Sequence, residues 1–184
     1  MQRTILGMIF LLCVASINCE ASNTKHTSKP STVERELKCL TDNIFNEGSG
    51  ESEQGQKGIG MITINRAKSK TKQFKHTICG AVYQEGQFSW VAVNPTIKDL
   101  TTYSKISVIA KELYNEYYIK GNVPKDLDIL KTVMYFSRGV PAGFRHVTTI
   151  GGHKYSAPKP IVKKPKKGNK DKKPNKPNKD KQRA

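Results

Sequence analysis

The last 27 residues limit what the rest of the chain can become. From Pro158 to Ala184 there are eleven Lys and one Arg against Asp171 and Asp180, a net +10, and the only large apolar residues are Ile161 and Val162. Such a stretch cannot bury enough apolar surface to offset the entropy of ordering it. A disordered Lys/Pro/Asn-rich tail is therefore expected over 157–184. At the other end, Arg3 precedes an apolar run from Ile5 to Ala15, followed by small and polar residues. That is the layout of a secretory signal, drawn here as 1–21 with cleavage after Ala21; an uncleaved anchor is the alternative. The run falls short of the ~20 residues that span a bilayer comfortably. With a polar link over 22–30, one folded domain is left, residues 31–156.

Helical spacing dominates the first half of that domain. Ser31 and Glu34 form a capping-box pattern, and Val33, Leu37, Leu40 and Ile44 follow at spacings of four, three and four. One further step of three reaches Glu47, so the stripe aims this carboxylate at the core side just before Gly48–Gly50 ends the helix. Glu53–Lys68 reads as a second helix, with Ile59, Ile62 and Arg66 on one strip and Gly55 and Gly58 beside it. Glycine inside a helix costs about 1 kcal/mol relative to alanine, which points to close packing against a neighbour. Residues 69–79 are a basic loop, and Cys79–Tyr83 forms a short strand or helix. A third helix is expected over Thr102–Lys120 on Ile106, Ile109, Ala110, Leu113 and Tyr117, stopped by Gly121. Lys131–Arg138 and His146–Tyr155 are β-branched and aromatic, with the pattern of strands in a small sheet or hairpin. The expected class is α+β and mainly helical.

Cys13 and Cys19 fall in the signal, leaving Cys39 and Cys79 for the domain. In an oxidising compartment they could close a loop of about 40 residues, stabilising by ~3–4 kcal/mol; two buried free thiols are the alternative. His26, His76, His146 and His153 are scattered without metal-ligand spacing, so neither metal nor cofactor is expected.

Four features carry chemistry. Glu47 on an apolar stripe has the setting of a general acid, because burial disfavours its charged form; a carboxylate snorkelling to water is the bland account. Glu51, after Gly50, could orient Glu47 or hold the turn by accepting amides, or be a solvated loop acid. Asn65 and Arg66 lie on or beside the inner face of the second helix, where they could hold Glu47 or a sugar amide; a surface Arg is the competing account. Tyr83, Gln84, Phe88, Ser89 and Trp90 mix aromatic rings with amides and a hydroxyl, a combination suited to a sugar and equally to core packing.

Taken in order, CLTDNIFNEGSGESEQGQKGIGMITINRAKS and FKHTICGAVYQEGQFSW resemble the SleB-type cell-wall hydrolases, the family of the spore-cortex-lytic enzymes. The resemblance is strong over Cys39–Trp90 and returns at Thr149–Tyr155. It implies a lysozyme-like, mainly helical domain related to the lytic transglycosylases, with Glu47 at the catalytic position. Gly48 and Ser49 depart from the alanine and arginine usual there, and Tyr135-Phe136-Ser137 replaces a histidine-rich segment.

The resemblance implies cleavage of the bond between N-acetylmuramic acid and N-acetylglucosamine in peptidoglycan by a secreted or envelope enzyme. The chain is expected to work as a monomer, with no specific nucleic-acid partner. The formal net charge of +17 suits a tail that contacts anionic wall polymers or a membrane surface. Two other readings are an N-acetylmuramoyl-L-alanine amidase and a secreted polycation without enzymatic activity.

Overall fold

A computed structural model of the chain describes residues 30–160. The expected signal segment, nearly all of the link expected after it and the tail from 161 onward lie outside the described residues. Helix α1 (Thr32–Gly48) starts on the expected capping box: the Ser31 hydroxyl accepts from Glu34 N–H while the Glu34 carboxylate accepts from Ser31 N–H at 2.7 Å. Leu40 and Ile44 are fully buried, whereas Val33 is 48 % exposed. The stripe thus takes hold one turn later than its spacing suggests, because the capped first turn stays in solvent.

Helix α2 (Glu53–Lys68) is the centre of the molecule. The sequence implied one buried strip; in the structure every residue from Gly58 to Ala67 is buried. The reason is that α1, α3 (Ile78–Val82), α5 (Leu100–Leu113), two irregular turns and the sheet all pack around it. Glycines make this approach possible. A Cβ at Gly58 would overlap the Tyr155 hydroxyl, and one at Gly60 would crowd Leu113 and Ile44. Overpacking of this kind typically costs about 1–3 kcal/mol. Gly58→Ala is therefore expected to lower the thermal midpoint despite alanine's better helix propensity, which differential scanning calorimetry would register.

The predicted third helix is divided. Regular α5 ends at Leu113 and Tyr114–Ile119 widens into a π-helical turn before Gly121, whose φ is +80°. This turn keeps Tyr114 and Tyr117 buried. A short α4 (Trp90–Val93) and a 3₁₀ turn (Lys125–Leu130) complete the helical part.

Strands β1 (Tyr135–Ser137), β2 (Phe144–Ile150) and β3 (His153–Pro158) form an antiparallel sheet in the order β1-β3-β2. The hairpin expected over His146–Tyr155 is β2–β3, turning at Gly151-Gly152. Lys131–Met134 is not strand, since α2 takes carbonyls at its end: Asn65 donates to Val133 O, as well as to Leu130 O just before the segment, and Arg66 donates to Met134 O. β3 also runs to Pro158, two residues past the domain boundary drawn from sequence. The mainly helical α+β class is as expected.

Candidate active site

Glu47 sits in the last turn of α1, half-buried. Gly48 lets that turn close on α2, because a Cβ there would overlap the Ile59 side chain. Beside Glu47 opens a cleft of about 410 Å³. Asn46 and Glu47 form one wall, and Gln87, Phe88, Ser89 and Trp90 form another. Phe136, Ser137 and Arg138, from β1 and the residue after it, and His153 at the start of β3 close it.

Burial raises the Glu47 pKa above the ordinary glutamate value, and the Arg66 cation pulls it partly back. Arg66 is itself buried, which lowers its guanidinium to about 10 and leaves it charged at neutral pH. It is held from several sides. Its Nε donates to Met134 O at 2.8 Å, and its guanidinium lies 5.0 Å from the Phe88 ring centre and 5.4 Å from that of Phe74. Arg66 Nη1 is buried without a hydrogen-bond partner. Arg66 therefore acts on Glu47 through its field from behind the Phe88 wall, and it is buried rather than on the surface.

Asn65 does not reach Glu47 or the cleft. Its amide donates to Leu130 O and Val133 O at 2.8 and 2.6 Å, and its oxygen accepts from the Tyr117 hydroxyl. A buried amide needs partners, and here backbone carbonyls of the 3₁₀ region supply them. Gly50 lies on an exposed turn outside the cleft. Glu51 does not line the cleft; it accepts Gly152 N–H on both oxygens, at 3.2 and 3.0 Å. It holds a turn, as its residue type allowed, but that turn is the β2–β3 hairpin 101 residues away.

The aromatic segment divides between cleft and scaffold. Trp90 lines the cleft with its indole N–H fixed to Asn43 Oδ1 at 3.1 Å; Asn43 is fully buried and also donates to Thr63. Phe88 is buried under the cleft, and Ser89 is exposed at its edge. Tyr83 packs edge-on to Trp90, its ring centre 5.9 Å away, and its hydroxyl donates to Asp42. Gln84 is committed to the basic loop, donating to Gln73 O and accepting from Lys75 N–H. Tyr83 and Gln84 line an adjoining, mostly apolar hollow of about 570 Å³ that shares Phe88 and Ser89 with the cleft.

Asn46, Gln87, Phe136, Ser137, Arg138 and His153 line the cleft without having been expected there from sequence. His153 stood in the Thr149–Tyr155 run and Asn46 next to Glu47, but nothing local marked either as cleft-lining. Cys39 and Cys79 are joined as a disulfide between α1 and α3. Among the described residues no three His, Cys, Asp or Glu side chains are grouped as metal ligands.

Among solved structures the chain is similar to the catalytic domain of the Bacillus cereus SleB protein, at 17 % identity and a TM-score of 0.49, over 73 % of this chain and 99 % of that one. No curated protein matches it. The family model described as cell wall hydrolase matches residues 50–155, more than half of the sequence, and the chain belongs to that family.

Proposed function

We propose that this cell wall hydrolase is an exported enzyme that cleaves the glycosidic bond between N-acetylmuramic acid and N-acetylglucosamine in peptidoglycan, with Glu47 as its single acid/base. The carrying observation is that Glu47 is the only carboxylate lining the cleft among the described residues, in a setting that raises its pKa. Protonated Glu47 would donate to the glycosidic oxygen as the bond from the muramic C1 breaks. The resulting carboxylate would then take the proton of the muramic C6 hydroxyl as that oxygen attacks C1. The product is an anhydro sugar, and no water enters.

Glycosidases that use water generally place a second carboxylate across the scissile bond. Glu51, near in sequence, has both oxygens engaged by Gly152 N–H, which favours transglycosylation over hydrolysis. The apolar run at Ile5–Ala15 and the Cys39–Cys79 disulfide support export to an oxidising compartment. There the Lys-rich tail would contact anionic wall polymers or membrane. Mass spectrometry of digested sacculi tests the chemistry. Anhydromuramic ends are expected; reducing muramic ends would mean hydrolysis, and released stem peptides on intact glycan would mean an amidase.

A further inference from the structure

His153 has no role in the scheme above, yet it is the most buried titratable side chain lining the cleft. The residue is 9 % exposed, and its ring meets Phe136 edge-on, with centres 5.1 Å apart at 89°. Nδ1 is closed off from solvent and makes no hydrogen bond, but it faces Glu51 Oε1 at 3.5 Å. That carboxylate is itself fixed by the hairpin turn. Besides the two contacts with Gly152 N–H, a Cβ at Gly151 would overlap Glu51 Oε2, and one at Gly152 would lie 2.8 Å from Oε1. The turn therefore needs two glycines to bring Glu51 against the first residue of β3.

This arrangement selects a tautomer. A carboxylate facing Nδ1 favours the proton on that nitrogen, because the alternative sets two lone-pair acceptors against each other. Nε2 then carries the lone pair. Nδ1 points at Glu51 and away from solvent, so the edge of the ring that meets the cleft is the Nε2 edge. Arg138, in the same cleft, can only donate hydrogen bonds, and Glu47 donates while it is protonated. His153 supplies a neutral acceptor that can receive a hydroxyl hydrogen.

We infer that His153 contacts the substrate, its Nε2 accepting a hydrogen bond from a sugar hydroxyl, and that Glu51 is the positioning residue that holds the ring for it. The inference rests on the reading of the cleft as a glycan site. Two charged groups act on the ring, Glu51 from the turn before α2 and Arg138 after β1, while Glu47 lines the same cleft. Burial, helped by Arg138 and opposed by Glu51, lowers the histidine below its ordinary value of 6.5. The ring is thus neutral at physiological pH. Acid protonates Nε2, removes the acceptor and adds a second cation beside Arg138.

Nitrogen-15 NMR of the histidines in the full-length Glu47→Gln protein, which binds without turnover, tests this with a peptidoglycan tetrasaccharide as probe. The free protein should show the Nδ1–H tautomer at His153, and saturation should shift Nε2. An Nε2–H tautomer overturns the inference. So does a shift of the Trp90 indole with no response at His153, whereas no response at either residue overturns the glycan-site reading as well. In otherwise unaltered enzyme, His153→Gln should raise KM about tenfold with little change in kcat, as loss of ground-state binding does. It should also abolish the rise in KM that wild type shows as pH falls below the lowered histidine value. Glu51→Gln should give mixed tautomers and an intermediate KM. Unchanged KM and unchanged pH dependence in His153→Gln would reduce the Glu51–His153 pair to a hairpin anchor.

Discussion

Glu47→Gln is expected to lower turnover of purified sacculi by about 10²–10⁴-fold, the usual contribution of a positioned general acid. Glutamine keeps the side chain's size and one oxygen but carries no transferable proton. The loss should therefore appear in kcat, with binding of glycan fragments retained. The wild-type pH profile should fall on its alkaline side above the ordinary glutamate value, because burial raises the Glu47 pKa more than Arg66 lowers it. Stability should move the other way. A carboxyl whose folded pKa lies above its unfolded value contributes fully below the unfolded value, and that contribution is lost as pH rises through the folded one. At neutral pH wild type carries that loss and the glutamine variant does not. Thermal unfolding at pH 4 and pH 7 should show the variant gaining on wild type at the higher pH. A variant with wild-type lysis would remove Glu47 from the mechanism whatever its stability.

One half of the cleft was legible in the sequence and the other was not, and the division follows the range of the interactions. α1 could be read because its signals are local: a capping box, a stripe at spacings of four and three, and glycines at the stop. Extending that stripe by three residues placed Glu47 on the inner side, where it lies. Arg66 was legible as a polar residue on the inner face of α2, although only the tertiary structure shows it behind Phe88. Asn65 misled because its type announces a need for partners without naming them. Its partners are the carbonyls of Leu130 and Val133, and a carbonyl is present at every residue. The wall made by Phe136, Ser137, Arg138 and His153 depends on how β1 and β3 pair, with Phe136 opposite Tyr155, and on Glu51 gripping a turn 101 residues away. No periodicity reports contacts of that range. The π-helical turn at Tyr114–Ile119 escaped for a related reason, since Tyr117 continues the α5 stripe whether the backbone is regular or widened.

Removing the Cys39–Cys79 bond should have the largest effect on stability. The bond closes a loop of separation 40 that contains all of α2 and the basic segment after it. Chain-entropy arguments assign such a loop about 4 kcal/mol, acting mainly on the unfolded state. For a domain of this size that corresponds to a fall in Tm on the order of 10–20 °C. The folded cleft should be much less affected. α3 has a second attachment to α1, since the buried Glu36 carboxylate accepts Ile78 N–H at 2.6 Å and Cys79 N–H at 3.3 Å. Trp90, beyond α3, is tied to α1 separately through Asn43. The Cys39→Ser, Cys79→Ser double variant should therefore keep its lytic rate at 20 °C and lose activity on heating well before wild type. Reductant should bring wild type to the same melting point and leave the variant unmoved. If the variant instead lost activity at 20 °C with its fold intact by circular dichroism, the disulfide would be setting the position of the cleft wall directly, and the Glu36 and Asn43 contacts would be too weak to hold it alone.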